Sequence, residues 1–173
     1  MYINIPQLSA KSRVTVHHER AVDFDEKTGL WLYEQVDEDE VADNIVTDAG
    51  RVTLHTFIYG KAADRVGLGA GMHFIGISND ATAPAAGDTT LASELSADGL
   101  GRAEGTVTLP TGSGTITTVS NQFTYTGGGS QGVQKTALFD ASSSGNMAHE
   151  IQFTQRTLFT NDTLTLTFSI TLT

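Results

Sequence analysis

The sequence predicts a mainly β protein: an antiparallel β-sandwich or jelly roll with one short helix and an extended N-terminal arm. Three observations predict it. The last eleven residues, Thr163 to Thr173, alternate without a break. Leu164, Leu166, Phe168, Ile170 and Leu172 point one way, and threonines and a serine point the other. Period two over this length marks a half-buried strand, and β-branched threonine suits its outer face. Further short apolar segments are punctuated by Gly, Asn, Ser and Asp clusters at the spacing of a sandwich. No βαβ rhythm and no internal repeat is present.

Composition narrows the function. A chain of 173 residues suggests one domain plus an arm. With no cysteine, disulfides and thiolate metal sites are excluded. A net charge of −10 lacks the clustered Lys and Arg of a nucleic-acid surface and disfavours an anionic membrane. No apolar leader and no long apolar run is visible, so a soluble protein without an export signal is expected. Asn161-Asp162-Thr163, though a sequon, therefore reads as a tight turn.

The elements follow in order. Eleven of the twenty acidic residues lie between Glu19 and Asp48, including the run Asp37-Glu38-Asp39-Glu40. The rest is nearly neutral, which sets a boundary: 1–44 as an N-terminal arm and acidic hairpin, 45–173 as the β-sandwich domain. Residues 1–20 show scattered apolar residues without a period and read as an arm needing a partner to order it. Residues 21–36 read as a hairpin. Val22 and Phe24 lead into Asp25-Glu26-Lys27-Thr28-Gly29, and Leu30-Trp31-Leu32-Tyr33 leads out. Thr47 is an N-cap for a helix over 48–59, with Gly60 at C′. Leu91 and Leu95 suggest a helical turn at 89–95. Strands are expected at 73–78, 104–109, 115–125, 133–139, 147–155 and 162–173.

Few residues are arranged for chemistry. Gly128-Gly129-Ser130-Gln131-Gly132 fits G-x-S-x-G, with Asp140 and His149 following in hydrolase order. That chemistry needs Ser130 on a strand-to-helix turn, yet Val133 to Phe139 reads as a strand, so a glycine-rich loop is the better reading. Asp23-Phe24-Asp25 fails the EF-hand pattern, because Lys27 and Thr28 stand where a ligand and a glycine belong. His17 and His18 are adjacent and would face opposite sides of a strand; His55, His73 and His149 are isolated, and none has zinc-site spacing. Gly67 to Gly71 precedes a strand and reads as a hinge. Trp31, Tyr33, Phe123 and Tyr125 could line a sugar platform, although packing is the commoner use of such residues. No catalytic, cofactor or metal site is assigned. The residues expected to serve an assembly interface are Ile3, Ile5, Leu8, Val14, Val16, Trp31 and Tyr33.

Four segments carry a family resemblance. Val46-Thr47-Asp48-Ala49-Gly50 resembles an "hT-x-x-G" helix opening in small structural proteins of tailed bacteriophages. Phe74-Ile75-Gly76-Ile77-Ser78 precedes Ala83-Pro84-Ala85-Ala86-Gly87-Asp88-Thr89-Thr90-Leu91-Ala92-Ser93-Glu94, which resembles their "TAPAAGDT-x-L-x-E" stretch. Val133 to Phe139 is similar to their "I-x-E-I-G-L-F" strand, with Lys135 and Ala137 where relatives often carry Glu and Gly. Asn161-Asp162-Thr163-Leu164 and its alternating tail resemble their closing strand. The small single domain and the long acidic arm point to a capsid decoration (cement) protein, with a tail, adaptor or fibre-base protein as the alternative. The resemblance covers about 45–173 and implies a β-rich virion component. It implies the major capsid protein or other virion subunits as partners, a homotrimer, synthesis in the bacterial cytoplasm, and neither nucleic acid nor membrane as a target. A receptor- or glycan-binding module and, more remotely, a serine hydrolase are the rivals of other classes.

Overall fold

A computed structural model describes residues 10–37, 39–43, 45–47, 71–108 and 116–172. Among them are eleven strands and no helix. The first sheet runs β2 (Leu30–Gln35), β1 (Ala10–Asp25), β11 (Thr163–Leu172), β8 (Ile116–Thr124) and β7 (Thr106–Thr108), with β3 (Glu40–Asp43) also on β1. The second runs β4 (Ile45–Val46), β10 (Met147–Phe159), β9 (Ser130–Phe139), β5 (Phe74–Ser78) and β6 (Ala103–Glu104). Every pairing is antiparallel.

One core joins the two sheets. The first contributes Val14, Val16, Val119, Phe123, Leu164, Leu166 and Phe168; the second contributes Ile75, Ile77, Val133, Leu138, Ile151, Phe153 and Leu158. The alternating C-terminal segment is the centre of the first sheet, with β1 on one edge and β8 on the other. Leu164, Leu166 and Phe168 are fully buried, and Leu138 packs in the same cluster, as the alternation requires. Phe139 points the other way, into a separate cluster with Leu91, Ala137 and Met147. The loop between β5 and β6 thus covers the outer face of the second sheet. That is why β9 is buried from Lys135 through Phe139 without alternation. Arg102 staples this covering. Its guanidinium grips Glu94 at 2.8 and 2.7 Å, bonds the carbonyls of Ala141 and Ser144, and lies over the Phe139 ring.

Several expectations are corrected. Residues 10–20 are not an arm: they form the first part of β1, register Ala10 on Leu172 through Glu19 on Thr163. Val14 and Val16 are core residues of their own domain, which removes them from an assembly interface. The period of two is present there but hidden, because the third inward position is His18, also buried. The helical turn at 89–95 is absent. Leu91 is buried against β9 and β10, and the backbone that follows bridges the end of β5 instead, with Glu94 on Ser78 and the Leu95 N–H on the Ile77 carbonyl at 2.9 Å. The strand at 104–109 splits into β6 and β7, which belong to different sheets. The crossing falls at Gly105, whose N–H bonds the His73 carbonyl at 2.7 Å and where a Cβ would lie 2.6 Å from Val119. The helix expected at 48–59 lies outside the described residues.

The 21–36 hairpin is present. β1 and β2 enclose a turn closed by the Gly29 N–H on the Asp25 carbonyl, with Gly29 at φ +72°. The Asp25 carboxylate accepts from the Lys27 N–H and the Thr28 hydroxyl. The tight turn at Asn161-Asp162 is also present, with Asn161 at φ +71°. Asp162 is 1% exposed and accepts from the backbone N–H groups of Ala21 and Phe159, beside the His18 ring at 3.4 Å.

Two substitutions test this architecture. Phe168→Ala should destabilise by roughly 3–5 kcal/mol in denaturant melts, the cost of an unfilled site in a packed core. Asp162→Ala should cost about 2–4 kcal/mol by the same measurement, because it orphans two backbone donors at a buried junction.

Candidate functional site

The hydrolase arrangement does not assemble. Ser130 is the first residue of β9 and pairs with Phe159, while His149 pairs with Leu138 and Val46 near the other end of the ladder. A ten-residue strand separates these ends by about 30 Å. Asp140 is occupied in closing the 141–146 loop, accepting from the Asn146 N–H and side-chain amide at 2.7 and 2.8 Å. The sugar platform does not assemble either. Phe123 and Tyr125 are buried in the core, which leaves Trp31 and Tyr33 exposed without them. Among the described residues no group of His, Cys, Asp and Glu is placed to hold a metal ion, and no helix is long and apolar enough to cross a membrane.

Two polar constellations are built, and the sequence signalled neither. The first lies on the outer face of the second sheet, in a cleft of about 280 Å³ lined by Asp80, Thr82, Asp88, Thr89, Lys135 and Glu150 among others. Lys135 is buried; its Nζ lies 2.6 Å from Asp80 and 3.3 Å from Glu150. Burial pulls the Lys135 pKa down, but the hydrogen bond to Asp80 and the charge of Glu150 outweigh it and hold the group above its usual value. Asp80 is held below the carboxylate range by that same contact with Lys135. Glu150 is raised to about 7, first by burial and then by Asp88 beside it. Asp88 is lowered, chiefly by the Ala85 N–H it accepts. Glu150 Oε2 is buried without a hydrogen-bond partner, which adds to the cost of ionising the group. This cleft ties the covering loop to the sheet, helped by the Gln134 and Gln152 amides, which donate to the carbonyls of Asn79 and Ala81.

The second constellation is the acidic run. Its members are partly exposed yet paired within the chain. Asp37 and Glu40 contact Arg156 on β10 at 3.4 and 3.1 Å, and Glu40 also accepts from the Thr154 N–H. Asp39 takes a hydrogen bond from His17 at 2.6 Å, which raises the His17 pKa. The run therefore clasps the edge of the first sheet to the second. His17 and His18 do face opposite sides: His18 is buried beside Asp162, and His17 is partly exposed.

The remaining feature is an apolar ribbon. β1 pairs with β11 only as far as Glu19, and beyond it residues 20–25 pair with β2 alone. Among the described residues the end of the hairpin therefore has no third strand. Among the described residues eleven large hydrophobic side chains are exposed, and seven belong to this unit: Val22, Phe24, Leu30, Trp31, Leu32, Tyr33 and Val36. Register places Phe24 opposite Trp31 and Ala21 opposite Tyr33 on one face, with Leu30 and Leu32 on the other. The Phe24 and Trp31 rings pack at 5.3 Å. Of the residues expected at an assembly interface, Trp31 and Tyr33 are exposed here, Val14 and Val16 are in the core, and Ile3, Ile5 and Leu8 lie outside the described residues. Comparison with protein-family models, curated proteins and solved structures finds no match to this chain.

The titrations of His149 and Glu150 oppose each other. Burial pushes His149 down to about 4, so between its ordinary value and 4 the unfolded chain takes a proton that the native one refuses, and stability falls as pH falls. Glu150 has the opposite sign: the native state keeps a proton that the unfolded chain releases, and this stability is lost as pH rises through about 7. Glu150→Gln removes the second effect alone. Between about pH 5 and about pH 8 the variant's stability relative to the parent should improve by roughly 1–3 kcal/mol in denaturant titrations. A difference that does not change with pH would show that the carboxyl is not desolvated.

Proposed function

We propose that this chain is a non-enzymatic structural protein of a tailed-bacteriophage virion, acting as an assembly module through its β1–β2 ribbon. One observation carries the assembly part: among the described residues the exposed apolar side chains are concentrated on a hairpin that no third strand joins. A two-stranded ribbon is marginal in water and contiguous exposed apolar surface is uncommon on monomers, so a partner that covers it gains from both. The virion part rests on the four-segment resemblance, of which the closing strand is the central strand of the first sheet. Within that reading the domain is a β-sandwich, supported by the two-sheet core and the crossing at Gly105, and its place is capsid decoration, with the major capsid protein as partner. A tail, adaptor or fibre-base position is the alternative. A homotrimer on a threefold shell position remains the assembly that the resemblance implies.

The acidic run contributes to this function indirectly, by bracing the base of the ribbon against β10. Deleting residues 1–20 would remove eleven of the sixteen residues of β1 and test only folding. The informative change is on the ribbon itself. Trp31→Asp with Tyr33→Asp should leave the melting temperature within a few degrees of the parent. Occupancy on emptied particles of the phage that carries the gene, read by sedimentation and electron microscopy, should fall at least about tenfold. Undiminished occupancy of the folded variant would overturn the ribbon as the docking element. Parent protein that binds no particle would overturn the virion reading.

A further inference from the structure

The four sheet edges are unequal. Three are very short among the described residues: β4 and β6 have two residues each and β7 has three. Short edges are a common protection against strand addition. The fourth edge carries β2, six residues long and exposed throughout. Its central residues Leu30, Trp31, Leu32 and Tyr33 are 64%, 42%, 50% and 41% exposed. Its guards are few: the one charged side chain, Glu34, lies near its end and leaves Leu30 to Tyr33 uncharged. It has no proline and no lysine, and the bulge of this hairpin lies on β1, between Ala21 and Asp23. Its outer backbone donors and acceptors are therefore a template for another strand.

We infer that the outer edge of β2 pairs with β2 of a second copy of this chain, antiparallel across a twofold axis, with Leu32 opposite Leu32. The proposal rests on the assembly reading above and names one occupant of the ribbon. Charge selects the occupant and the register. Glu34 is the one charged residue of β2. In this register it falls opposite Leu30 of the second copy, not opposite itself, so no like charges face across the strands. Trp31 falls opposite Tyr33 of the second copy, which extends the Phe24–Trp31 pair into an aromatic row on one face. On the other face the Leu30 and Leu32 side chains of both copies form a leucine row. A self-complementary strand with an uncharged centre suits an isologous contact. The contact is twofold, so a trimer would use a different surface.

Sedimentation velocity on the full chain, from about 1 to about 300 µM, tests the association, which is expected in the micromolar range for an edge contact smaller than a standard interface. Leu32→Lys should be monomeric across that range with an unchanged melting temperature. Register is tested by oxidation of single-cysteine variants. Leu32→Cys should form a disulfide-linked dimer at least about tenfold faster than Leu30→Cys, which faces Glu34, and than Val107→Cys on the short β7 edge. A parent protein monomeric throughout, an oligomer that Leu32→Lys leaves intact, or equal cross-linking of the three cysteines would each overturn the pairing. A monomer that still binds particles would sink this pairing while leaving the assembly reading in place. A dimer that binds none would do the reverse.

Discussion

The Asp162 carboxylate holds together a fold assembled from the two ends of the chain. The first sheet is centred on β1 and β11, whose paired residues lie more than 140 positions apart. Such a pairing carries a large closure entropy and has no local turn to set its register. Asp162 supplies a substitute. It sits at the start of β11, accepts from Ala21 on β1 and from Phe159 on β10, and lies beside the buried His18 ring. One carboxylate thereby fixes where β1 enters the sheet, where β10 turns, and where β11 begins. The core of Val14, Val16, Leu164, Leu166 and Phe168 forms downstream of that alignment, since a slip of one residue would turn each of these side chains to solvent.

The second sheet solves a different problem. Its outer face is covered by a loop instead of another sheet, and that loop is rich in short polar residues. Only Leu91 offers a large apolar anchor to the outer cluster from the loop. The rest of the attachment is electrostatic: Lys135 with Asp80 and Glu150, and Arg102 with Glu94 and two carbonyls. Buried ion pairs of this kind contribute little net stability relative to apolar packing, but they tolerate few alternative arrangements. The loop is thus placed more by geometry than by burial. Glu150 pays for that placement with a carboxyl raised to about 7.

The same division of labour sets up the ribbon. Asp37 and Glu40 bind Arg156, and Asp39 binds His17, so the residues that connect β2 to β3 are held down at the base of the hairpin. Beyond Glu19 no third strand among the described residues joins the hairpin, and its apolar side chains are exposed on both faces. Anchoring the base stiffens the hairpin and lowers the ordering entropy that a partner must overcome on binding it. Local stability and an exposed binding surface are both kept because different residues serve each.

The strand class, the closing strand and the 21–36 hairpin were legible in the sequence, because each rests on near-neighbour physics. Alternation over 163–173 needs only the pleat, and Asp25 through Gly29 needs only turn geometry. The adjacent placement of His17 and His18 on opposite faces follows from the same period. Other features were decided by tertiary structure. Residues 10–20 lacked a visible apolar period because one inward position is His18, whose burial depends on Asp162 far along the chain. The segment at 89–95 has helical spacing of leucines, but the free edge of β5 competed successfully for its backbone. The partner of the acidic run was not legible, because Arg156 is more than a hundred residues away. The Lys135–Glu150 cleft had no sequence signature at all, since its four charged members come from three separate segments. A sequence determines by itself what its local periods and turns can bury; which charges meet, and which edge is left open, depends on contacts between segments that no local pattern encodes.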